Sequence, residues 1–358
     1  MRLEFSLFFG IFVALALSNA LVPVLPAYTA GSAVQGAIYS AYFLGAFLTT
    51  LPGGLLSDRY GQIPMIRLGL IITLFSGILL SSSLAPYPVI LLRFGEGVGA
   101  GILIAASMSH VNSLPDHQRM SGYLIATLNA GLVTGLALSG WLAASLHQPT
   151  AGIILFTALS FLPAGVILTV RKPGTRAQER PGRVLPLLCE YRGLWYSSVI
   201  LVGITGIAAS LYPGYSMLSS DLIGLFIAFM SIGTILTVLL LPSLPWQPIT
   251  IIRSSALFMA LGLGVTYFSP LGFGILGALA GLVMIAQMAF LAGVGEDQGV
   301  VMGIFATSSY LGMTLLPFLA GIIVSGLGYP AAFLGAVFLS LTVTFTIGRC
   351  TAPERASP

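Results

Sequence analysis

The chain has 358 residues, of which 57% are hydrophobic and only 7% are charged, whereas a typical soluble domain has roughly 25% charged residues. This composition excludes an ordinary soluble enzyme and indicates a protein whose surface mostly faces lipid. The net charge of +4 is not a nucleic-acid signal, because the basic residues form no stripe beside aromatic residues. We therefore expect an integral membrane protein in a lipid bilayer, without a nucleic-acid partner.

Twelve apolar runs are long enough to cross a bilayer, for which about 20 residues suffice. Spans 1 to 6 are predicted at about 5–25, 34–56, 65–84, 87–110, 121–143 and 150–170. Spans 7 to 12 are predicted at about 194–214, 221–241, 250–268, 271–293, 299–323 and 329–348. Residues 1–20 also resemble a secretory signal, but Glu4 is unusual there and cleavage would leave eleven spans.

The positions of Lys and Arg predict the orientation, because short loops rich in these residues stay in the cytoplasm. With both termini cytoplasmic, all of the 14 basic residues except Arg93 of span 4 lie on the cytoplasmic side. One missed span would invert every later loop and destroy this agreement. The sequence thus predicts an all-α, multi-pass protein of the cell (plasma) membrane with cytoplasmic N- and C-termini.

Two similar halves are predicted on either side of a polar segment. Residues 1–170 form an N-terminal six-helix bundle, 171–192 a cytoplasmic linker, and 193–358 a C-terminal six-helix bundle. Laying residues 116–140 over 297–321 matches both aspartates and several glycines. Parallel six-helix repeats related by an axis along the membrane normal occur in transporters, with the substrate near the midplane. Chance similarity of glycine-rich apolar helices is the alternative.

The segment "GLLSDRYG", residues 54–61, places Gly54, Asp58, Arg59 and Gly61 between spans 2 and 3. A carboxylate that faces a helix N-terminus gains about 0.3–1 kcal/mol, which suits a contact that must be released. The glycines permit close backbone approach and a tight turn. The alternative is an ordinary cytoplasmic turn that orients spans 2 and 3.

Arg93 and Glu96 are a charged pair predicted to lie well inside the bilayer. They are three residues apart, so they share a helix face. Each such charge costs about 2.5–3.5 kcal/mol at a helix centre, so we expect the pair to face a cavity. A carboxylate can carry a proton, and Glu96 is our candidate for proton coupling with Arg93 as its partner. The alternative is a permanent ion pair that only positions span 4.

These motifs resemble the major facilitator superfamily, in particular its proton-coupled drug-efflux branch. "GLLSDRYG" is similar to the family's signature loop, "RFGEG" at 93–97 to its Arg-x-x-Gln-Gly motif, and "LVPVLPAY" at 21–28 to a segment of the efflux branch. The resemblance implies twelve helices in two bundles with pseudo-two-fold symmetry. It also implies that Asp58 meets the start of span 11, near Gln298 and Gly299, as a conformational latch. Gln62 and Ile63 stand where the family has basic residues, which weakens that latch.

Span 5 resembles the family's glycine-rich antiporter motif through Gly131, Gly135 and Gly140. Leu136 stands where that motif has a proline, and the proline occurs in the repeat as Pro317. Small residues let helices pack closely in lipid, so helix packing also explains this pattern. The motif therefore does not by itself favour antiport over symport.

The resemblance implies that spans 1, 4, 7 and 10 line a central cavity. Our substrate-cavity candidates there are Asn19, Thr205, Tyr212, Met284 and Gln287. So few polar groups suit a lipophilic ligand better than a sugar or a polyanion. Packing between helices is the alternative for each of them. His110 and His117 have poor spacing for a metal, and we expect no metal, no cofactor and no catalytic residue.

The sequence therefore predicts a monomeric secondary active transporter that works by alternating access. The expected function is proton-coupled efflux, by antiport, of small hydrophobic or drug-like compounds. Uptake or facilitated diffusion of a small metabolite is an alternative within transport. A non-transporting membrane sensor or scaffold that kept the fold is the alternative from another class.

Overall fold

The computed structural model describes residues 2–82, 85–170, 184–241, 247–292 and 298–347. Within these ranges 12 helices are long and apolar enough to span a membrane, which confirms the predicted number of spans. They are α1 Arg2–Ala20, α2 Ser32–Tyr60, α3 Gln62–Ser82, α4 Pro86–Asn112, α5 His117–Leu146, α6 Ala151–Leu168, α7 Arg192–Tyr215, α8 Ser220–Leu240, α9 Pro248–Phe268, α10 Gly272–Ala292, α11 Gln298–Leu327 and α12 Tyr329–Thr346.

Two short helices lie outside the twelve spans. A 3-10 turn at Val22–Val24 leads from α1 into the helix Leu25–Tyr28, and the two proline rings of this segment suit the first turn of a helix. The helix Val184–Glu190 precedes α7, inside the predicted linker. Residues 171–183 lie outside the described residues, and the bundle borders at 170 and 193 stay predictions.

The helices of each half pack mainly on one another. In the first half, α2 and α3 pack on α4, while α1 packs on α5 and α6. In the second half, α7 packs on α11, α8 on α10, and α9 on α10 and α12. Between the halves, α2 touches α7, but the most extensive contacts are those of α2 with α11 and of α5 with α8. These pairs exchange under the repeat, so the contact between the bundles is pseudo-two-fold symmetric.

The bundles touch most closely at what we call the distal end, where α2 and α8 begin and α5 and α11 end. Backbone packs on backbone there: a Cβ added to Gly36 of α2 would lie 2.7 Å from the Pro317 carbonyl oxygen of α11. Its counterpart Gly224, the fifth residue of α8 as Gly36 is of α2, packs on the Leu136 carbonyl of α5. The predicted topology makes this distal end the outer side of the membrane.

Toward the opposite end of the N-terminal bundle, the surface between α1 and α5 is indented. A hollow of about 410 Å³ lies there, lined by Phe8 of α1 and by Tyr123, Ala126, Thr127 and Ala130 of α5. The α2–α11 contact nevertheless continues toward this end, where a Cβ on Gly303 would meet the Leu51 side chain at 3.5 Å. The two bundles thus meet toward both ends through α2 and α11, with the closest described backbone contacts at the distal end.

Candidate functional site

Arg93 and Glu96 form an ion pair inside the N-terminal bundle. The Arg93 Nη1 atom lies 2.6 Å from Glu96 Oε2, and the side chains are 2% and 0% exposed. One turn of α4 brings the two groups onto the same helix face, as the sequence predicted. Each charge therefore compensates the other in a medium that would strongly disfavour either alone.

Tyrosine side chains surround this pair. The Arg93 Cζ atom lies 4.7 Å from the centre of the Tyr42 ring, in a cation–π contact. Tyr28 and Tyr39 are also buried, and Tyr28 interacts electrostatically with both Arg93 and Glu96. We call Tyr28, Tyr39 and Tyr42 the tyrosine layer.

Three buried polar atoms of this site have no hydrogen-bond partner within the described ranges. They are Arg93 Nε, Glu96 Oε1 and the Tyr28 hydroxyl. A donor, an acceptor and a group that can be both thus have unused hydrogen-bonding capacity. An arrangement that only held α4 in place would be expected to satisfy them, because an unpaired buried polar group costs about 1–3 kcal/mol.

The sequence predicts a pair that faces a cavity, whereas the pair is sealed in this conformation. The reason is the close packing of α2 on α4 through glycines. A Cβ on Gly97 would lie 2.7 Å from the Tyr42 carbonyl carbon, and one on Gly45 would lie 2.7 Å from the Val98 nitrogen. The tyrosine layer is therefore held directly over the ion pair. Sequence reasoning missed this contact, although the small residues Gly97 and Gly101, four apart, are a signal for it.

The signature-loop residues are only partly described. Gly61 ends α2 with φ of 97° and ψ of 148°, and its N–H donates to the Ser57 carbonyl at 2.9 Å. Arg59 is exposed beside the Tyr60 ring. Among the described residues, no atom of another part of the chain lies within 4 Å of a Cβ added to Gly54. The side chains of Asp58 and Gln298 and the surroundings of Gly299 lie outside the described residues, so the close approach at Gly54 and the latch both stay predictions.

We expect Gly61→Ala to lower the free energy of unfolding by about 1–3 kcal/mol, because its backbone conformation is nearly restricted to glycine. Gly54→Ala is the matched control, since Gly54 is helical and a Cβ there would meet no atom of another segment among the described residues. That variant should be unchanged or slightly more stable. Thermal unfolding of both purified variants measures the difference, and equal melting temperatures would contradict the prediction.

The residues predicted for helix packing lie at close helix contacts. A Cβ on Gly131 would lie 2.5 Å from the Phe12 carbonyl oxygen, and one on Gly135 would lie 2.7 Å from Ala16 Cα. Gly140 packs on the Ser220 backbone of α8, and Pro317 lies at the Gly36 contact described above. Gly131 and Gly135 thus join α5 to α1, whereas Gly140 and Pro317 join the two bundles.

The five substrate-cavity candidates are not brought together by any described hydrogen bond or ring contact. The Asn19 amide donates to the Leu15 carbonyl of its own helix at 3.1 Å, and the Thr205 hydroxyl donates to the Val202 carbonyl at 2.7 Å. Tyr212 packs edge-on against the Phe273 ring, 5.0 Å between centroids. Asn19 and Thr205 thus bond within their own helices, whereas Tyr212 joins α7 to α10.

Gln287 differs from the other candidates. It is fully buried in α10, and its Nε2 donates to Ser197 Oγ of α7 at 3.0 Å, while its Oε1 has no partner among the described atoms. Met284 lies one turn earlier and is half-buried. Gln287 is therefore the cavity candidate whose side chain keeps an unused hydrogen-bond acceptor, Oε1.

The two histidines considered as metal ligands, His110 and His117, lie apart from the ion pair. His110 Nδ1 is 2.9 Å from Gln62 Oε1, at the start of α3. The His117 side chain lies outside the described residues. No group of three His, Cys, Asp or Glu side chains that could hold a metal occurs in the part of the chain that the structure describes.

The comparison with protein families identifies the class of protein. The family described as the Major Facilitator Superfamily matches residues 7–295. The chain therefore belongs to the Major Facilitator Superfamily, and it is a membrane transporter rather than an enzyme. The family motifs on α2, α4 and α5 predicted this membership correctly. A search among curated proteins finds no match.

Solved structures similar to this chain are transporters with the same fold. A bacterial homologue of the human lysosomal transporter Spinster, inward-facing and occupied, has a TM-score of 0.79 at 13% identity, with 100% of this chain and 97% of that chain covered. A variant of the nucleoside transporter NupG has a TM-score of 0.78 at 13% identity, covering 97% and 99%. A D-xylose–proton symporter has a TM-score of 0.72 at 13% identity, covering 100% and 98%.

Such low identities establish the fold alone, which is the predicted all-α fold of two six-helix bundles. They give no information about the substrate or the direction of transport of this chain. The predicted kinship to the drug-efflux branch is therefore not supported by these neighbours, which are nucleoside, sugar and Spinster transporters.

Proposed function

We propose that the protein is a monomeric, proton-coupled secondary active transporter that exports small hydrophobic or drug-like compounds in exchange for protons. The Arg93–Glu96 pair carries this proposal. It combines complete burial with an acidic group that can change charge and with unused hydrogen-bonding capacity. Intramembrane ionisable residues commonly mark proton relays and ion pathways.

The coupling step follows from the chemistry of the pair. Protonation of the Glu96 carboxylate from the outer side removes its negative charge and weakens its contact with Arg93. The Arg93 guanidinium then keeps the Tyr42 ring face as a partner, a contact worth about 0.5–2 kcal/mol. Release of the proton on the inner side restores the ion pair. The substrate, leaving through the same central region, competes for the deprotonated state.

Aromatic residues on the inner half of α1 support the proposed substrate class. The rings of Phe5, Phe9 and Phe12 stack along that helix, with centroids 5.2 and 6.1 Å apart. The hollow between Phe8 and Tyr123 adds a surface that is mostly apolar. Apolar walls with few polar groups favour lipophilic ligands.

The remaining parts of the proposal concern placement and switching. We place the protein in the plasma membrane with both termini cytoplasmic, because Lys and Arg collect on that side. Asp58 with Arg59 serves as a latch toward the start of α11 in the outward-open state. In this proposal the two bundles rock about their symmetric contacts, α2 with α11 and α5 with α8, and the proton gradient drives the cycle without ATP.

The experiment is solid-supported-membrane electrophysiology on reconstituted protein at two pH values. Tetraphenylphosphonium and ethidium are the lipophilic probes, and a nucleoside and D-xylose are the alternative substrates. We expect a lipophilic probe to produce a proton current that Glu96→Gln abolishes. Glu190→Gln is the matched control, because Glu190 is exposed in the short helix before α7 and the current should persist.

The outcomes separate the competing functions. A current with the nucleoside or with D-xylose, and none with either cation, would replace efflux with metabolite uptake. Substrate flux without proton movement, unchanged in Glu96→Gln, would remove the coupling role. The absence of both flux and ligand-dependent thermal shifts would favour a sensor or scaffold.

A further inference from the structure

The side of the ion pair that faces the C-terminal bundle is covered by aromatic residues of α2. Tyr39 of α2 reaches α7, where a Cβ on Gly206 would lie 3.5 Å from Tyr39 Cε1. The next aromatic side chain toward the other end, Phe43, contacts α11: its ring centroid lies 6.3 Å from that of Tyr310. Phe43 also packs edge-on against Tyr42, with centroids 5.1 Å apart.

Tyr310 is thus linked through Phe43 and Tyr42 to the Arg93 guanidinium. Tyr310 is half-buried, whereas Tyr42, Arg93 and Glu96 are almost fully buried. Tyr310 is therefore the partly exposed end of this chain of contacts, and the buried ion pair is its other end.

The contacts on the two sides of α2 differ in kind. Toward α4, the α2 backbone touches the α4 backbone through Gly45 and Gly97, so these two helices move together. Toward α11, the contact at this level is between the Phe43 and Tyr310 rings. A rocking motion between the bundles would separate side chains at the second contact far more easily than backbones at the first.

We propose that Tyr310 and Phe43 form an aromatic shutter that controls access to Glu96. When α11 moves away from α2, Tyr310 leaves Phe43, and the tyrosine layer loses its support on the side of the C-terminal bundle. Glu96 then becomes accessible from the space between the bundles. Tyr310 is a positioning residue in this scheme, and its ring, not its hydroxyl, provides the cover. The purpose of the shutter rests on the proposed function, but its existence does not.

The surroundings of Glu96 define what the shutter protects. Arg93 faces it from its own helix, Tyr28 from the segment after α1, and Tyr42 from α2, while Tyr39 lies near Arg93. Among these groups Arg93 is the charged partner of Glu96. At fixed pH, a change in the labelling rate of Glu96 therefore reports how easily the reagent enters the space that these side chains enclose.

The test measures modification of Glu96 by a hydrophobic carbodiimide, dicyclohexylcarbodiimide, in the full-length reconstituted protein. Mass spectrometry of the Glu96 peptide gives the labelling rate without knowledge of the substrate. We expect Tyr310→Ala to raise this rate about tenfold, the factor that corresponds to about 1.4 kcal/mol in the opening equilibrium. Tyr310→Phe should label like the original protein, because the ring is kept.

Tyr87→Ala is the control, since Tyr87 lies on α4 like Glu96 but its side chain is 75% exposed at the distal end. If Tyr310→Ala is not monodisperse after purification, Phe43→Ala removes the same contact from the α2 side and should give the same increase. Equal labelling in Tyr310→Ala, Tyr310→Phe and Tyr87→Ala would overturn the shutter, as would increased labelling in Tyr310→Phe.

The shutter and the proposed function can fail separately. Unchanged labelling in Tyr310→Ala, together with a proton current that needs Glu96, would reject the shutter and leave coupling intact. Increased labelling in Tyr310→Ala, together with transport that is unchanged in Glu96→Gln, would support the shutter and reject coupling.

Discussion

Gly97→Ala is expected to disrupt the N-terminal bundle, although it replaces glycine by the best helix-forming residue. In a free helix this change would stabilise by about 0.5–1 kcal/mol. Here the new Cβ would lie 2.7 Å from the Tyr42 carbonyl carbon and still closer to its oxygen. A backbone cannot rotate aside as a side chain can, so α2 and α4 must separate. We expect a loss of at least about 1–3 kcal/mol, as for other overpacked interiors.

Gly95→Ala provides the control on the same helix. A Cβ at that position meets only the Ser76 hydroxyl, at 3.3 Å, which can shift at little cost. Fluorescence-detected size exclusion after heating should show early loss of the Gly97→Ala peak and little change for Gly95→Ala. A Gly97→Ala protein as stable as the original would show that α2 and α4 do not pack as closely as described.

Arg93→Met is expected to be the most damaging single substitution in the ion pair. It removes one charge and leaves the Glu96 carboxylate buried without a counter-charge, which costs about 3–5 kcal/mol. It also removes the contact with the Tyr42 ring. The thermal unfolding midpoint should fall strongly, and the yield of monodisperse protein with it.

The double variant Arg93→Met with Glu96→Leu separates stability from transport. Replacing a whole buried pair by apolar residues is often neutral or stabilising, so most of the lost stability should return. The proton current should not return, because no side chain at the site can then carry a proton. A double variant that is stable and still couples substrate to protons would mean that the pair has a structural role alone.

Much of the fold was predictable because the bilayer leaves the backbone few choices. Every backbone N–H and C=O group in lipid must find its partner within the chain, so an apolar run of about 20 residues becomes a helix. Hydropathy therefore located all twelve spans, and the restriction of Lys and Arg to one side checked their number. The family motifs then predicted the two-bundle architecture that the structure and the family match support.

The candidate site was predictable only where its residues are close along the chain. Arg93 and Glu96 pair across one helical turn, a contact that helix geometry imposes. The cavity candidates on α1, α7 and α10 depend on the rotation of separate helices, so their shared cavity stays a prediction; Asn19 and Thr205 bond within their own helices, and Tyr212 packs on Phe273. Hydrophobicity is similar on every face of such helices, so composition does not reveal which face points inward.

By itself, the sequence determined the twelve helices, their alternation across the membrane and the local ion pair, because each depends on short-range geometry or on transfer from water to lipid. The tertiary structure alone decided that Tyr42 covers Arg93 and that Phe43 meets Tyr310. Those contacts join segments far apart along the chain, and in lipid they depend on which small residues let two backbones approach. The burial of Glu96 was therefore decided by Gly45 of α2 and Gly97 of α4, which let these two helices meet, and not by Glu96 itself.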